Sequence, residues 1–595
     1  MQINQSGPKP LQALLKLFLS FLFLSPLVTI AQTTYLPQGA EENILIERME
    51  IKLQKDSIFN FSKTKPFSRE SIIPAVEKNY KTAFFVYSTG EISPTLDSVQ
   101  LARETNASRF TKVDIYNMRR ALVNNLEWVK DDLSAYKSKK PWGKTFYQTP
   151  GTLYEVHSKD FDLAINPVLQ FQLSKENKND QTLFLNTRGV TIRGKIANKI
   201  GFDSYITDNQ ERDPLYVQAW EKKFQSVPGE GYYKYFKTTG YDYFDARGYF
   251  TFGVTKYVDV AFGYDKNFIG NGYRSLFLSD FSNNILFLKL NTRIWRINYQ
   301  NLFIELNATE PRGPDRLLKK KYAVMHHLDV NVTKSLNVGL FEGVIFGRPD
   351  QFEFGYLNPI IFYRSIEQQN GSIDNSVAGI DIKANVKHAL QFYGQFLLDE
   401  FVLAEIRRNR GSWVNKWGIQ AGAKYIDAFG IKNLDLQLET NRVRPFTYSH
   451  SDSVANYTHY NQPLAHPLGA NFQEWIGIAR YQPAPKWLLQ GKLFYWKQGL
   501  DSSAESFGSN IFLPNGPPYR TREFGYHVGD GLGSKTFIAS FLLSYEVRQN
   551  LFIDLSAFFR KQNIDASPST PPISTNTSVI SLGVRLNMHR REFEF

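Results

Sequence analysis

Cysteine is absent from the 595 residues, which excludes disulfides, thiolate metal centres, cysteine nucleophiles and a lipid anchor on an N-terminal cysteine. Long apolar runs are missing as well. Residues 17–30 form the one extended apolar stretch, and it is shorter than the roughly 18 residues that a membrane-spanning helix requires. Histidine is sparse, with nine residues, so there are few ways to assemble a catalytic or metal-binding group. Mean hydropathy is −0.35. That value disfavours a helical membrane protein but not a barrel, whose strands alternate apolar and polar side chains.

Such alternation is abundant. From Asp160 onward the chain divides into about eighteen short segments of period two, joined alternately by turns of a few residues and by much longer connections. Leu286, Leu288, Leu290 and Ile294 share one face of a strand whose other face carries Lys289, Asn291 and Arg293. Leu551, Ile553, Leu555, Ala557 and Phe559 oppose Asp554, Ser556 and Arg560 in the same way. So do Ile580, Leu582, Val584, Leu586 and Met588 against Ser581, Arg585 and Asn587. The fold class expected is an all-β transmembrane barrel of about 18 antiparallel strands; a soluble β-sandwich also has one wet face but seldom runs as one uninterrupted meander.

Short turns are expected at about Asn198, Lys256, Trp295, Ser335, Lys387, Phe429, Ala484 and Asn550. Long connections are expected over 209–243, 267–284, 309–321, 348–376, 402–412, 447–470, 499–535 and 565–575, with a shorter one near Lys178. Both chain ends then lie at the short-turn end, which requires an even strand count. Phe593 and Phe595 supply the aromatic terminus common in barrels, but they are out of phase with Ile580 to Met588. Either a bulge intervenes near His589 or the strand stops earlier.

Three parts of the chain follow. Residues 1–31 read as a secretory signal, with Lys9 and Lys16 ahead of the apolar stretch and Thr29-Ile30-Ala31 offering a cleavage site before Gln32. Residues 32–159 lack alternation and are expected to be a periplasmic helical region, as a plug in the barrel mouth or a partner-binding module. Within it 111–137 has helical spacing through Val113, Tyr116, Ala121, Leu122, Leu126, Val129 and Leu133, and 96–103 is a shorter candidate. Residues 160–595 form the barrel. A chain that leaves the cytoplasm and crosses a membrane by strands belongs in the outer membrane of a Gram-negative cell.

The formal charge is +13, with 47 Phe, 32 Tyr and 9 Trp. On a cell surface, excess cation suits lipopolysaccharide phosphates or acidic polysaccharide rather than nucleic acid. Aromatic and basic residues recur together in the long connections. Trp220, Tyr232, Tyr233, Tyr235, Phe236, Tyr241 and Tyr243 accompany Lys222, Lys223, Lys234 and Lys237. Lys319, Lys320, Lys321, Arg407, Arg408, Arg410, Arg442, Arg444, Arg520 and Arg522 lie near other loops or strand tops. Aromatic faces suit the apolar side of a sugar ring, and planar cations suit its carboxylates. The candidate polysaccharide-binding set is Trp220, Tyr233, Tyr235, Lys319, Lys320, Lys321, Arg407, Arg408, Arg442 and Arg444; contact with lipopolysaccharide and anchoring at the membrane interface would use the same residue types.

An enzyme is not expected, nor a metal or cofactor. His450, His459 and His466 share a loop beside Ser451, Asp452 and Ser453 but have no helix to align them, and the adjacent His326 and His327 point to opposite faces of a strand. Lumen-facing Lys289, Arg293, Asp329, Asn331, Asp554 and Arg560 would serve a diffusion pore or a lumen filled by loops and ion pairs.

The run Val260-Ala261-Phe262-Gly263-Tyr264-Asp265-Lys266-Asn267-Phe268-Ile269-Gly270-Asn271-Gly272-Tyr273-Arg274-Ser275-Leu276-Phe277-Leu278-Ser279-Asp280 resembles Wzi-like capsule assembly proteins, where a strand passes into a Gly-rich loop and a Ser-Leu-rich segment. Asn358-Pro359 and His459-Tyr460-Asn461-Gln462-Pro463-Leu464-Ala465-His466-Pro467-Leu468-Gly469 look similar too. The resemblance covers most of the mature chain, which also looks like the Bacteroidetes branch of the family, some members of which are gliding motility proteins of the RemB type. It implies an eighteen-stranded outer-membrane barrel acting as a surface lectin for capsular polysaccharide, or a motility role with a periplasmic, motility or secretion partner.

Overall fold

In the computed structural model, residues 32–89, 105–309, 318–348, 351–360, 362–371, 374–567 and 571–595 are described. The candidate signal and the candidate helix at 96–103 lie outside them. Eighteen antiparallel strands close into one barrel. They are β1 (Phe161–Glu176), β2 (Leu183–Ile196), β3 (Ile200–Arg212), β4 (Gly240–Thr255), β5 (Val258–Asp265), β6 (Ile285–Ile294), β7 (Ile297–Asn307), β8 (Lys320–Asn331) and β9 (Leu336–Phe346). The second half comprises β10 (Asn375–Val386), β11 (Leu390–Glu400), β12 (Lys416–Tyr425), β13 (Leu434–Val443), β14 (Phe472–Ala484), β15 (Trp487–Leu500), β16 (Leu532–Arg548), β17 (Leu551–Ile564) and β18 (Ile573–Leu586). Closure is made by β18 on β1, from Val579 opposite Glu176 to Leu586 opposite Leu169.

Period-two alternation decides which residues face out. Ile553, Leu555, Ile580, Leu582 and Val584 are exposed on the outer wall, whereas Asp554, Ser581 and Arg585 are buried inside. Seven of the eight expected short turns fall between strands and the eighth, Ala484, is the last residue of β14 beside its turn, while the long connections leave from the other end. Among the described residues no helix is long and apolar enough to cross a membrane.

The short-turn end is filled by N-terminal chain, with helices α1 (Glu41–Leu53), α2 (Arg69–Thr89) and α3 (Lys112–Val123). Helix α3 begins where the spacing predicts, because Thr111 and Asp114 form a reciprocal capping box. It stops at Asn124, short of the expected Lys137: the chain continues as 3-10 turns at Leu126–Trp128 and Leu133–Tyr136. Apolar residues at three-to-four spacing are buried equally well by a tighter turn, so spacing alone does not fix the helix end. The α1 residues Arg48 and Lys52 reach Asp114, and Arg48 also pairs with Asp435 on β13. Lys63 pairs with Asp381 and lies 3.4 Å from Asp329, while Lys383 reaches Glu50. The N-terminal region is therefore locked to the barrel's inner wall.

From the long-loop end two connections dive inward. Ile269, Leu276, Phe277 and Leu278 of one meet Tyr448, Tyr457, Leu464 and Ala470 of the other in an apolar core against Phe287, Leu302, Met325 and Phe341 of the wall. The Tyr457 hydroxyl donates to the Phe277 carbonyl at 2.6 Å, and that of Tyr448 to Leu276 at 2.8 Å. The lumen-facing polar residues serve this filling. Arg293 donates to the Ser57 carbonyl, the Lys289 ammonium lies 4.0 Å from the Tyr35 ring centroid, and Arg585 pairs with Asp554 at 2.7 Å.

The phase problem at the C-terminus resolves as an early stop. Strand β18 ends at Leu586, and the last nine residues turn back into the lumen. Met588, expected on the outer face, is consequently buried inside. Glu592 and Glu594 pair with Lys492 of β15, and Arg560 of β17 donates to the Phe595 carbonyl at 3.1 Å.

Candidate functional site

The expected sugar-binding residues do not converge. Trp220 lies on α4 (Leu215–Phe224), a helix in the connection after β3, and packs against Phe224, Phe281 and Phe595 with centroids 4.6, 6.2 and 5.5 Å away. It belongs to the lumen seal. Tyr233 stacks edge-on against Tyr241 at 4.3 Å, leaving Tyr235 as the exposed ring of that group. The three consecutive lysines split by alternation: Lys319 is exposed, Lys320 pairs with Glu305 at 2.7 Å, and Lys321 is fully buried, donating to the Asn456 carbonyl at 2.7 Å and to the Thr458 hydroxyl. Lys321 cannot contact an external polymer, because β8 has already begun there and turns it inward. Arg442 sits exposed on the outer wall at the top of β13.

Arginine and aromatic residues do converge at one rim, where the connections after β11, β13 and β15 meet. Arg407 and Arg408 close the short helix α6 (Leu403–Arg408), and Arg408 and Arg410 both hold Glu405 at 2.8 Å. The next residue, Gly411, has φ +68°, and an added Cβ would meet the Tyr526 amide nitrogen at 2.9 Å. Glycine thus permits the close approach in which Tyr526 N–H donates to the Gly411 carbonyl and Gly525 N–H to that of Arg410, each at 2.9 Å. Arg444 bridges the same loops through the carbonyls of Ser412 and Tyr526, at 3.1 and 3.0 Å.

On this framework cations lie over rings. Arg410 is 3.8 Å from the Phe524 centroid, Arg520 4.1 Å from Trp413, and Arg522 4.9 Å from Tyr526. Carboxylates fix the guanidinium planes. Glu523 accepts from Arg520 and from the Trp413 indole, at 2.6 and 2.7 Å, and Glu505 accepts from Arg522 and Tyr526, at 2.7 and 3.0 Å. The Arg520 hydrogen bond, outweighing a small burial cost, holds the Glu523 carboxyl below its ordinary value of 4.5. Arg410 does the same for Glu405. Arg408, Arg410, Tyr519, Arg522 and Phe524 keep exposed edges. The patch can lay ring faces and guanidinium forks against a flat, acidic ligand. Sequence reasoning missed Trp413, Glu505, Tyr519, Phe524 and Tyr526, since more than a hundred residues separate the two main contributors; the signal was Arg alternating with aromatics over 519–526 and Arg410 close before Trp413.

The loop histidines are internal struts. His459 accepts from the Asn307 amide and contacts the Asn284 carbonyl, both at 3.0 Å, and burial pushes its pKa down to about 3. His466 contacts Glu474 at 2.7 Å, and the His450 ring accepts from the Asp452 amide at 3.1 Å. His326 and His327 do face opposite ways, toward Tyr363 and Asp381. Glu211, Asp213 and Glu221 bring carboxylate oxygens within 4.8 Å of one another in the interior. Burial first, then mutual repulsion, raises Asp213 and Glu221, while Arg591 pairs with Glu211.

The family model described as capsule assembly protein Wzi matches residues 224–506. That interval runs from the end of α4 to the connection after β15 and takes in both inward loops. No curated protein matches. Among solved structures, the Escherichia coli outer-membrane protein Wzi, described as a carbohydrate-binding β-barrel involved in group 1 capsule assembly, aligns with TM-score 0.54 at 14% identity, covering 94% of this chain and 100% of that one. Pseudomonas aeruginosa OprD aligns with TM-score 0.41 at 12% identity over 71% and 94%, and Acinetobacter baumannii OccAB2 with 0.39 at 10% over 71% and 97%. In barrel course along nearly its whole length, and in sequence over residues 224–506, this chain is similar to the Wzi capsule assembly proteins.

Proposed function

We propose that the protein is a Wzi-like outer-membrane barrel that binds an acidic surface polysaccharide at its long-loop rim without catalysing a reaction. The observation that carries this reading is the rim on which Arg410, Arg520 and Arg522 lie over Phe524, Trp413 and Tyr526. A lumen occupied by the N-terminal region, two loops and the C-terminal tail supports attachment rather than diffusion through a pore. A signal cleaved before Gln32, a short-turn end facing the periplasm and insertion among lipopolysaccharide belong to the same reading. Arg407, Arg408 and Arg442 would extend the cationic surface around the patch, while Lys319 and Tyr235 stand on other loops of the rim.

The test is retention of purified acidic capsule polysaccharide by cells carrying Arg410→Ser with Arg522→Ser, after heat-modifiable mobility has confirmed barrel assembly. Retention should fall, and the residual binding of the unaltered protein should weaken as salt rises, because exposed charges are screened beyond about 8 Å at physiological ionic strength. Unchanged retention and salt response would remove the rim from the site. A deletion strain that keeps its capsule but loses gliding would replace the lectin reading with the motility one.

A further inference from the structure

One long connection folds the opposite way from the two that turn inward. After β9 the chain drops down the outside of the barrel wall, and helix α5 (Tyr363–Asn370) carries it back to the rim. Tyr356 and Tyr363 pack on Phe303, Val324, Val344 and Phe346, all of which point outward. The Tyr363 hydroxyl meets His326, the Tyr299 hydroxyl meets the Pro359 carbonyl, and at the rim Tyr356 donates to Asp374 at 2.7 Å.

What this flap covers is unusual for a barrel wall. Asn301, His326 and Glu342 are in register on neighbouring strands, all pointing outward. His326 lies near the middle of β8, five residues from its short-turn end. Polar and charged groups facing hydrocarbon at that height are strongly disfavoured. The flap answers two of the three: Tyr363 takes His326, and the Arg364 amide donates to Glu342 at 3.4 Å.

Large apolar side chains stand out from the stretch before α5, while α5 itself turns Arg364, Gln368, Gln369 and Asn370 outward. Phe354, Ile360 and Phe362 are 78%, 84% and 78% exposed, more than any neighbouring wall residue. Alongside them the wall continues with exposed Leu340, Ile380 and Ile382. We propose that residues 351–360, with Phe362, form a flap embedded in the membrane, whose Phe354, Ile360 and Phe362 face the acyl chains and whose inner side, with Tyr363, seals the polar row Asn301, His326 and Glu342. This rests on the reading of the barrel as membrane-inserted. The occupant of the apolar surface is lipid hydrocarbon, because that surface is continuous with the apolar wall on the same side of the barrel.

The absence of cysteine makes the test direct. Single variants Phe354→Cys, Ile360→Cys and Phe362→Cys carry a nitroxide label in the full chain reconstituted into phospholipid vesicles, with Ile380→Cys as a wall control and Tyr235→Cys as a loop control. Power saturation compares collisions with oxygen, which concentrates in the hydrocarbon, and with a water-soluble nickel chelate. All three flap labels should match Ile380, with Ile360 lying nearest the short-turn side of the membrane, because Pro359 touches Tyr299 two residues from the start of β7. Flap labels matching Tyr235 beside a lipid-exposed Ile380 would overturn the proposal while leaving the barrel in the membrane. If Ile380 itself matched Tyr235, the membrane reading would fail and the flap proposal with it.

Discussion

The connection after β13 goes into the lumen, and the connection after β9 goes over the outer wall. Both carry many aromatics, but their polar groups differ. The inward one brings His459, Gln462 and His466, which meet Asn307, Ser226 and Glu474, while the His450 amide donates to Asn456 within the loop. The outward one has Phe354, Ile360 and Phe362 exposed and satisfies a few wall groups through Tyr363 and the Arg364 amide. A buried polar group without a partner costs roughly 1–3 kcal/mol. A loop rich in hydrogen-bonding side chains can therefore fill a polar lumen, whereas one with outward-standing Phe354, Ile360 and Phe362 suits the outside of the wall.

That contrast is most exposed to disproof at Tyr457, fully buried where the two inward loops meet. Tyr457→Ala should cost about 3–5 kcal/mol, as for other large buried aromatics, seen as a lower urea midpoint for loss of heat-modifiable mobility. A shift within error would mean that the lumen filling does not contribute to barrel stability. Next is Lys321→Ser, which leaves the Asn456 carbonyl without its buried donor and should cost about 1–3 kcal/mol on the same assay. If Lys321→Ser instead weakened polysaccharide retention with stability intact, its assignment as an internal strut would be wrong.

The inward loop should also be sensitive to acid. His459 is neutral in the folded state, with a pKa held near 3 against an ordinary value of 6.5, first by burial and then by nearby lysines. A depressed folded value means stability is complete above pH 6.5 and declines as pH falls from there toward about 3. Urea midpoints measured across that window should show the decline, and His459→Asn should flatten it. The smallest effect belongs to the flap. Tyr363→Phe removes one hydroxyl from His326 and should cost about 0.5–1.5 kcal/mol, read as a faster hydrogen exchange of α5 amides with the barrel unchanged.

Much of this protein was determined by sequence alone, for a physical reason. In a closed sheet every backbone group is paired by its neighbours, so alternation, turn length and strand parity leave little choice, and eighteen strands with eight short turns followed from them. Helix α3 was readable from its start because capping is local, and not at its end because 3-10 turns bury the same residues. Tertiary structure alone decided the rest. Lys320 and Lys321 separated because a strand began two residues earlier than the loop pattern suggested, and Trp220 was claimed by Phe595, 375 residues away in the chain, to seal the lumen. Trp413 and Arg520 met only because two loops docked. Whether a loop turns inward, stands at the rim or lies on the wall depends on polar partners distant in sequence, and no local pattern records them.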